Sequence, residues 1–170
     1  MNISKIKLRR VLKTDLEYFR DWRNSPEIWK NNTQFTFLNM KNQKKWFKSL
    51  SKKDSKKEMF TIVNSKNIPV GICGLTNLDP IEKSGKVAII IGEINVQSKG
   101  IGTQGLKLLL EYGFKKKKLH RIEAEVIEFN KKSLSFFQKF NFKKEVRLRN
   151  YLFRDNKWWD MIVFSKIISD

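Results

Sequence analysis

One cysteine, Cys73, stands in a chain of 170 residues, which excludes an internal disulfide and suits a reducing, cytoplasmic setting. There is one histidine, His120, so the ligand set for a zinc site is missing and no metal is assigned. No apolar run approaches the roughly 20 residues that cross a bilayer, so no membrane span is expected. The opening Met1–Lys7 lacks the long apolar segment of a signal peptide. No repeat, Pro/Gly linker or low-complexity tract divides the chain, and residues 1–170 are expected to form a single domain of ordinary size.

Apolar residues make up 40% of the sequence, with 13 Phe and 5 Trp, enough to build a core. The net charge is +19. A field of that sign concentrates anions and disfavours a polycationic substrate such as a polyamine. A compositional origin, an AT-rich genome favouring Lys, Asn and Ile codons, accounts for the lysines equally well.

Ile6 to Val11 reads as a strand. Thr14-Asp15-Leu16-Glu17 has capping-box spacing and opens a helix that Pro26 stops. A second helix runs from about Met40 to Leu50, with Asn39 as N-cap and Trp46 and Phe47 on its apolar face. Met59–Val63 and Pro69–Leu78 flank a hairpin turn. Lys86 to Ile94 contains the unbroken run Val87–Ile91, as in a strand buried on both faces. A glycine-bearing turn leads into a helix from Ile101 to Lys116, then a strand from Arg121 to Ile127. A short helix opens at Asn130, and strands Lys144–Phe153 and Lys157–Ile167 close the chain across an Asp155-Asn156 turn. Only the stretch Lys86–Ile127 has the length of a parallel crossover. The expected fold is α/β: a mixed, mostly antiparallel central sheet, one parallel strand-helix-strand unit and helices on both faces.

Gly100-Ile101-Gly102-Thr103-Gln104-Gly105 follows a strand and opens a helix. Glycines let backbone approach a phosphate, and the N–H groups of a first helical turn point at it. The string also matches the dinucleotide fingerprint G-x-G-x-x-G, with Glu123, Glu125 or Glu128 about 20 residues on, which keeps an NAD-type reading as an alternative. That reading needs further βα units, and the remaining residues read as a short helix and an antiparallel pair. A P-loop fails, because Leu106-Lys107 follow Gly105. Lys115 to Lys118 read as cations at a helix end rather than as a nucleic-acid patch. A basic RNA-binding module lacks any recognisable base-stacking string.

Gln97-Ser98-Lys99-Gly100-Ile101-Gly102 resembles the acetyl-CoA signature Q/R-x-x-G-x-G/A of the GNAT acetyltransferases. Asn130 to Phe142 is similar to that family's N-x-x-S-x-x-x-Y-x-K-x-G-F segment. Asp21-Trp22-Arg23-Asn24-Ser25-Pro26-Glu27 resembles the branch that holds the RimJ/RimL ribosomal-protein and aminosugar-nucleotide acetyltransferases. The resemblance implies an N-acetyltransferase with acetyl-CoA as cosubstrate and direct attack by an amine in a ternary complex. It implies cofactor contacts at Ile94, Val96, Gln97, Lys99, Gly100, Ile101, Gly102, Thr103, Asn130, Lys132 and Phe137, with Ile94 and Val96 acting through the main chain of a splayed strand. Asn130 equally reads as an N-cap. Glu93 is the candidate base, or else a solvent-facing strand residue. Trp22, Arg23 and Asn24 are candidates to line the acceptor cleft, Trp22 equally a core residue. The family's acid-position Tyr is Phe137 here, and its Gly is Asn141, a residue tolerant of left-handed backbone. The acceptor is a small-molecule or protein amine, an aminosugar nucleotide or a protein N-terminus, and a homodimer is compatible with the reading.

Overall fold

The structure is a computed structural model and describes residues 5–52 and 54–169. Residues 1–4, within the segment read for a signal peptide, lie outside the described residues. The elements are β1 (Lys7–Arg10), α1 (Leu16–Asn24), α2 (Pro26–Trp29), α3 (Met40–Leu50), β2 (Glu58–Val63), β3 (Pro69–Asp79), β4 (Ser84–Ile91), α4 (Ile101–Glu111), β5 (Arg121–Ile127), α5 (Lys131–Lys139), β6 (Lys143–Arg154) and β7 (Lys157–Ile167). They build one seven-stranded sheet in the order β1-β2-β3-β4-β5-β7-β6. The β4–β5 pair is parallel and every other pair antiparallel. This is the mixed sheet expected from the sequence.

Alternation along the strands sends neighbouring side chains to opposite faces. Cys73, Leu75, Val87, Ile122, Ala124 and Phe164 pack under α4 and α5, with Ile101, Leu106, Leu109 and Phe137 from those helices. Ile72, Met59 and Ile90 face the other way, against Leu16, Phe19 and Trp22 of α1 and Trp46 and Phe47 of α3. Helices therefore cover both faces. Asn39 caps α3 by accepting from the Asn42 N–H at 2.9 Å. Asn141, at φ 59°, takes the left-handed backbone its position requires, and Asp155 and Asn156, at φ 50° and 55°, form the tight β6–β7 turn.

Several boundaries differ from the sequence reading. The acid that anchors the entry to α1 is Asp15, not Glu17: a 3-10 turn over Lys13–Asp15 precedes the helix, and Asp15 Oδ2 accepts from the Leu12 N–H at 2.8 Å. Asp15 is buried and also takes both Arg9 Nη atoms at 2.7 and 2.8 Å and the Thr61 hydroxyl at 2.6 Å. Pro26 does more than stop α1, for its fixed φ makes it the first residue of α2. The helix after the glycine turn is α-helical only to Glu111, and Tyr112–Lys116 widen into a π turn.

Candidate functional site

The site begins where a strand ladder stops. β4 and β5 pair at Ser84↔Arg121, Gly85↔Ile122 and Lys86↔Glu123 only. Both strands continue beyond that point, β4 to Ile91 on its β3 ladder and β5 to Ile127 on its β7 ladder. They therefore diverge, and an ion pair between Lys86 and Glu125 crosses the point of separation. A wedge opens in the sheet at the C-terminal ends of the parallel pair, where α/β sheets place their ligand crevices. Its inner edge on β4 is main chain from Val87 to Ile91, with no ladder partner on that side among the described residues.

At the mouth of the wedge the chain turns into α4. Gly100 has φ 77°, a left-handed conformation that costs glycine nothing and a side-chain-bearing residue more. The Gln104 N–H donates to Gly100 O at 3.0 Å and closes the first helical turn. The N–H groups of Ile101, Gly102 and Thr103 precede that bond and have no intrahelical acceptor. With the positive end of the helix dipole they form a cradle for an anion. Gln97 fastens the turn to the wedge by donating from Nε2 to Ile91 O at 2.9 Å. Lys132 of α5 donates to Gln97 Oε1 at 3.4 Å. One turn further along α5, the Phe136 ring faces Gly102, where an added Cβ would lie 3.7 Å from it and 3.6 Å from Ile91. Strand end, glycine turn and α5 thus meet at one place. Gly105, the last glycine of the fingerprint, lets α4 lie close on the sheet, since a Cβ there would come within 3.1 Å of Ile62 Cδ1.

Other residues singled out in the sequence fall as follows. β4 ends at Ile91, and the N–H groups of Gly92 and Glu93 both donate to Val70 O. Ile94 and Val96 therefore lie on a 3-10 turn, not on the splayed strand, and Ile94 is exposed. Hydrogen bonds to β3's start curl the chain away before those residues are reached. Glu93 is likewise off the strand, half-buried, and accepts from Asn95 Nδ2 at 3.2 Å. Lys99 and Thr103 are exposed beside the turn. Asn130 is an N-cap, accepting from the Ser133 N–H at 3.1 Å, with its amide nitrogen left for other use. Phe137 does not line an opening: it is 6% exposed and packs against Phe142, Phe136 and Phe164. Its aromatic neighbours on both sides pull the ring inward, and Phe136 takes the place beside the turn. Tyr112 donates to Glu58 at the far end of α4, about 16 Å along the axis from Ile101. Burial and that carboxylate push its hydroxyl up to about 12. Tyr151 is exposed on β6.

Trp22 lies against Gly92, just past the end of β4. Asn24 holds the loop after α2 through paired bonds, Nδ2 to Leu38 O at 2.7 Å and Leu38 N–H to Oδ1 at 2.8 Å. Arg23 donates from Nη2 to Gln34 Oε1 at 3.3 Å. Sequence reasoning missed Arg154. From the end of β6 it reaches Thr33 O at 3.3 Å and lies 3.9 Å over the Phe35 ring. Nothing local marks it, because Thr33 lies 121 positions away in the chain. Among the described residues no group of three or more His, Cys, Asp or Glu side chains could hold a metal, and no helix is long and apolar enough to cross a membrane.

A parallel strand pair that splits beside an anion-binding helix start, within a mixed sheet covered on both faces, is the architecture of an acyl-CoA-binding transferase domain. Residues 5–143 match the acetyltransferase (GNAT) domain family, and the chain belongs to that family. It is an acetyl-CoA-dependent N-acetyltransferase. It is 26% identical over 164 residues to the uncharacterized N-acetyltransferase p20 of Bacillus licheniformis, covering 95% of this chain and 92% of that protein. A shorter match, 33% over 60 residues, links it to alpha/beta-tubulin-N-acetyltransferase 9 of Mus musculus, covering 35% of this chain and 25% of that one. In fold it resembles the spermidine N-acetyltransferase of Vibrio cholerae solved with CoA and spermine, with a TM-score of 0.90, 20% identity and 96% of each chain covered. The NAD-type alternative falls with the topology: after β5 the chain makes one helix, α5, and the β6–β7 hairpin, with β7 inserted antiparallel beside β5 where a dinucleotide-binding sheet would add parallel neighbours.

Proposed function

We propose that this enzyme acetylates the primary amine of a small acceptor carrying an anionic group, an aminosugar nucleotide in the first instance, and that it stands with the RimJ/RimL-like branch. The observation that carries the reading is the wedge between β4 and β5 opening onto the turn from Gln97 to Thr103. Acetyl-CoA supplies an activated thioester when bound. The N–H groups of Ile101, Gly102 and Thr103 hold its pyrophosphate, with Gly100 setting their direction and Lys99 and Lys132 adding charge. Main chain along Val87–Ile91 lines the pantetheine arm and offers donors to charge developing on the acetyl oxygen. Asn130 contributes its free amide nitrogen. Glu93, at the mouth of the wedge, takes the amine proton, directly or through water. No tyrosine protonates the departing thiolate from α5, and solvent does so.

Two other acceptors compete. A protein N-terminus fits the same branch. A polyamine is suggested by the likeness to the Vibrio cholerae enzyme, which is a likeness of fold; the +19 charge and the arginines flanking Thr33–Phe35 weigh against it. Calorimetry should register CoA and not NAD. Rates for an aminosugar nucleotide, a basic peptide and spermidine, compared at low and high salt, test the acceptor. The nucleotide should lead at low salt and lose roughly ten-fold or more of its advantage as salt screens the field. Spermidine leading at low salt would replace this reading with the polyamine one.

A further inference from the structure

Four buried side-chain donor atoms have no hydrogen-bond partner among the described residues: Arg9 Nε, Arg23 Nε, Trp29 Nε1 and Arg154 Nε. Arg9 belongs to a guanidinium whose Nη atoms already hold Asp15. The other three gather around one short segment. Arg23 reaches Gln34 at 3.3 Å, Trp29 stacks on Phe35 with ring centroids 3.9 Å apart, and Arg154 lies over Phe35 and donates to Thr33 O. They come from three places in the chain: the last turn of α1, the end of α2 and the end of β6.

A buried donor without an acceptor costs free energy, and a buried guanidinium without an anion costs more. Neither Arg23 nor Arg154 forms an ion pair with a carboxylate among the described residues. Burial lowers the basicity of both, opposed at Arg154 by the field of neighbouring Asp155 and at Arg23 by no carboxylate. Their Nη atoms meet neutral oxygens only, Gln34 Oε1 for Arg23 and the carbonyls of Thr33 and Phe153 for Arg154, while both Nε atoms and the Trp29 indole N–H lack an acceptor among the described residues. Trp22, the residue before Arg23 on α1, lies on Gly92, just past the end of β4.

We infer that Arg23, Trp29 and Arg154 form a specificity site for an oxyanion, a carboxylate or phosphate group, on the acceptor. The proposal rests on the acceptor class proposed above and assigns the residues that select it. Guanidinium groups pair with such oxyanions through two parallel N–H···O bonds, and the indole N–H adds a third direction. The group is recognised at a distance from the reacting amine, so its loss should raise KM for the acceptor and leave KM for acetyl-CoA in place.

The test uses matched amines that differ by one anion held away from the amine: glucosamine 6-phosphate against glucosamine for phosphate, and 6-aminohexanoate against 6-aminohexanamide for carboxylate. Both kcat/KM and calorimetric binding in the presence of CoA are read for wild type, Arg23→Gln, Arg154→Met and Arg154→Lys. Wild type should favour the anionic member of at least one pair ten-fold or more, and which pair does so identifies the group. Arg23→Gln and Arg154→Met should reduce that preference to near unity, the loss falling on the anionic member of the pair. Arg154→Lys, which keeps the charge, should retain part of it and also guards against misfolding of the Met variant. Trp29 emission should change on addition of the favoured anionic amine. If wild type favours anionic acceptors and both variants keep the preference, this assignment is overturned while the acceptor reading survives. If wild type shows no preference in either assay, both fall.

Discussion

The indole of Trp22 rests on the backbone of Gly92, so closely that a Cβ added at Gly92 would lie 1.8 Å from Trp22 Cδ2. Phe19 and Tyr18 hold the indole from the helix side, with ring centroids 5.8 and 5.6 Å away. Gly92→Ala should therefore drive the ring from its seat and destabilise the fold by about 1–3 kcal/mol. Adding Trp22→Leu should make the two changes strongly non-additive, because the clash exists only when both groups are present. Urea unfolding of the two single variants and the double variant measures that coupling, and additive losses would show that the contact is not the cause.

Gly102 separates fold from ligand binding. A Cβ there would meet Ile91 and Phe136 at ordinary contact distance, so Gly102→Ala should fold and gain about 0.5–1 kcal/mol of helix propensity. Gly102→Asp should also fold, since an acid near a helix N-terminus is favourable without ligand. It should lose the rise in Tm that CoA gives the wild type, because its charge opposes the pyrophosphate. Retention of that rise in the Asp variant would move the pyrophosphate off this turn.

Phe137→Tyr puts a hydroxyl on a ring that is buried and packed against Phe142, Phe164 and Phe136. A buried hydroxyl without a hydrogen bond costs about 1–3 kcal/mol. Thermal unfolding should show that loss, with KM for acetyl-CoA unchanged. A variant that is as stable as wild type and faster would place the ring at the thioester after all.

Asp15 ties β1, β2 and the entry to α1 together. Burial alone would raise its carboxyl, but hydrogen bonds from Arg9, Thr61 and the Leu12 N–H prevail and hold it below the usual carboxylate range. A folded-state value below the unfolded value of about 3.9 stabilises the fold fully above that pH, and the gain is lost as pH falls from there through the lower folded-state value. Asp15→Asn, which leaves Arg9 without its anion, should cost about 3 kcal/mol at pH 7. The gap between wild type and variant should narrow below about pH 4 in denaturant midpoints measured across pH. A gap that is constant down to pH 3 would show that the carboxylate charge is not what matters.

Strand and helix order was legible because the run Val87–Ile91, the alternation in Arg121–Ile127 and the glycine turn each carry a local signal. The glycine turn that opens α4 at Gly100 was legible for the same reason. Where β4 ends was not, since that depends on Val70 O capturing two successive N–H groups from a different strand. Phe137 could be aligned by spacing, yet its burial is decided by Phe142 and Phe164. Arg154 and Trp29 were invisible as a pair with Arg23, since only folding brings their donors to Phe35.

The wedge in the sheet is an omission: a ladder that is not made beyond Lys86 and Glu123. An omission of main-chain bonds asks little of the side chains beside it, so the fold that contains it can persist while sequence drifts, as in a solved structure of this fold at 20% identity. Choice of acceptor has to be encoded in a different currency, in residues that decorate the rim and can be exchanged one at a time. Two proteins of this fold can thus differ in the acceptors they take, and comparing rims rather than backbones is the way to sort them.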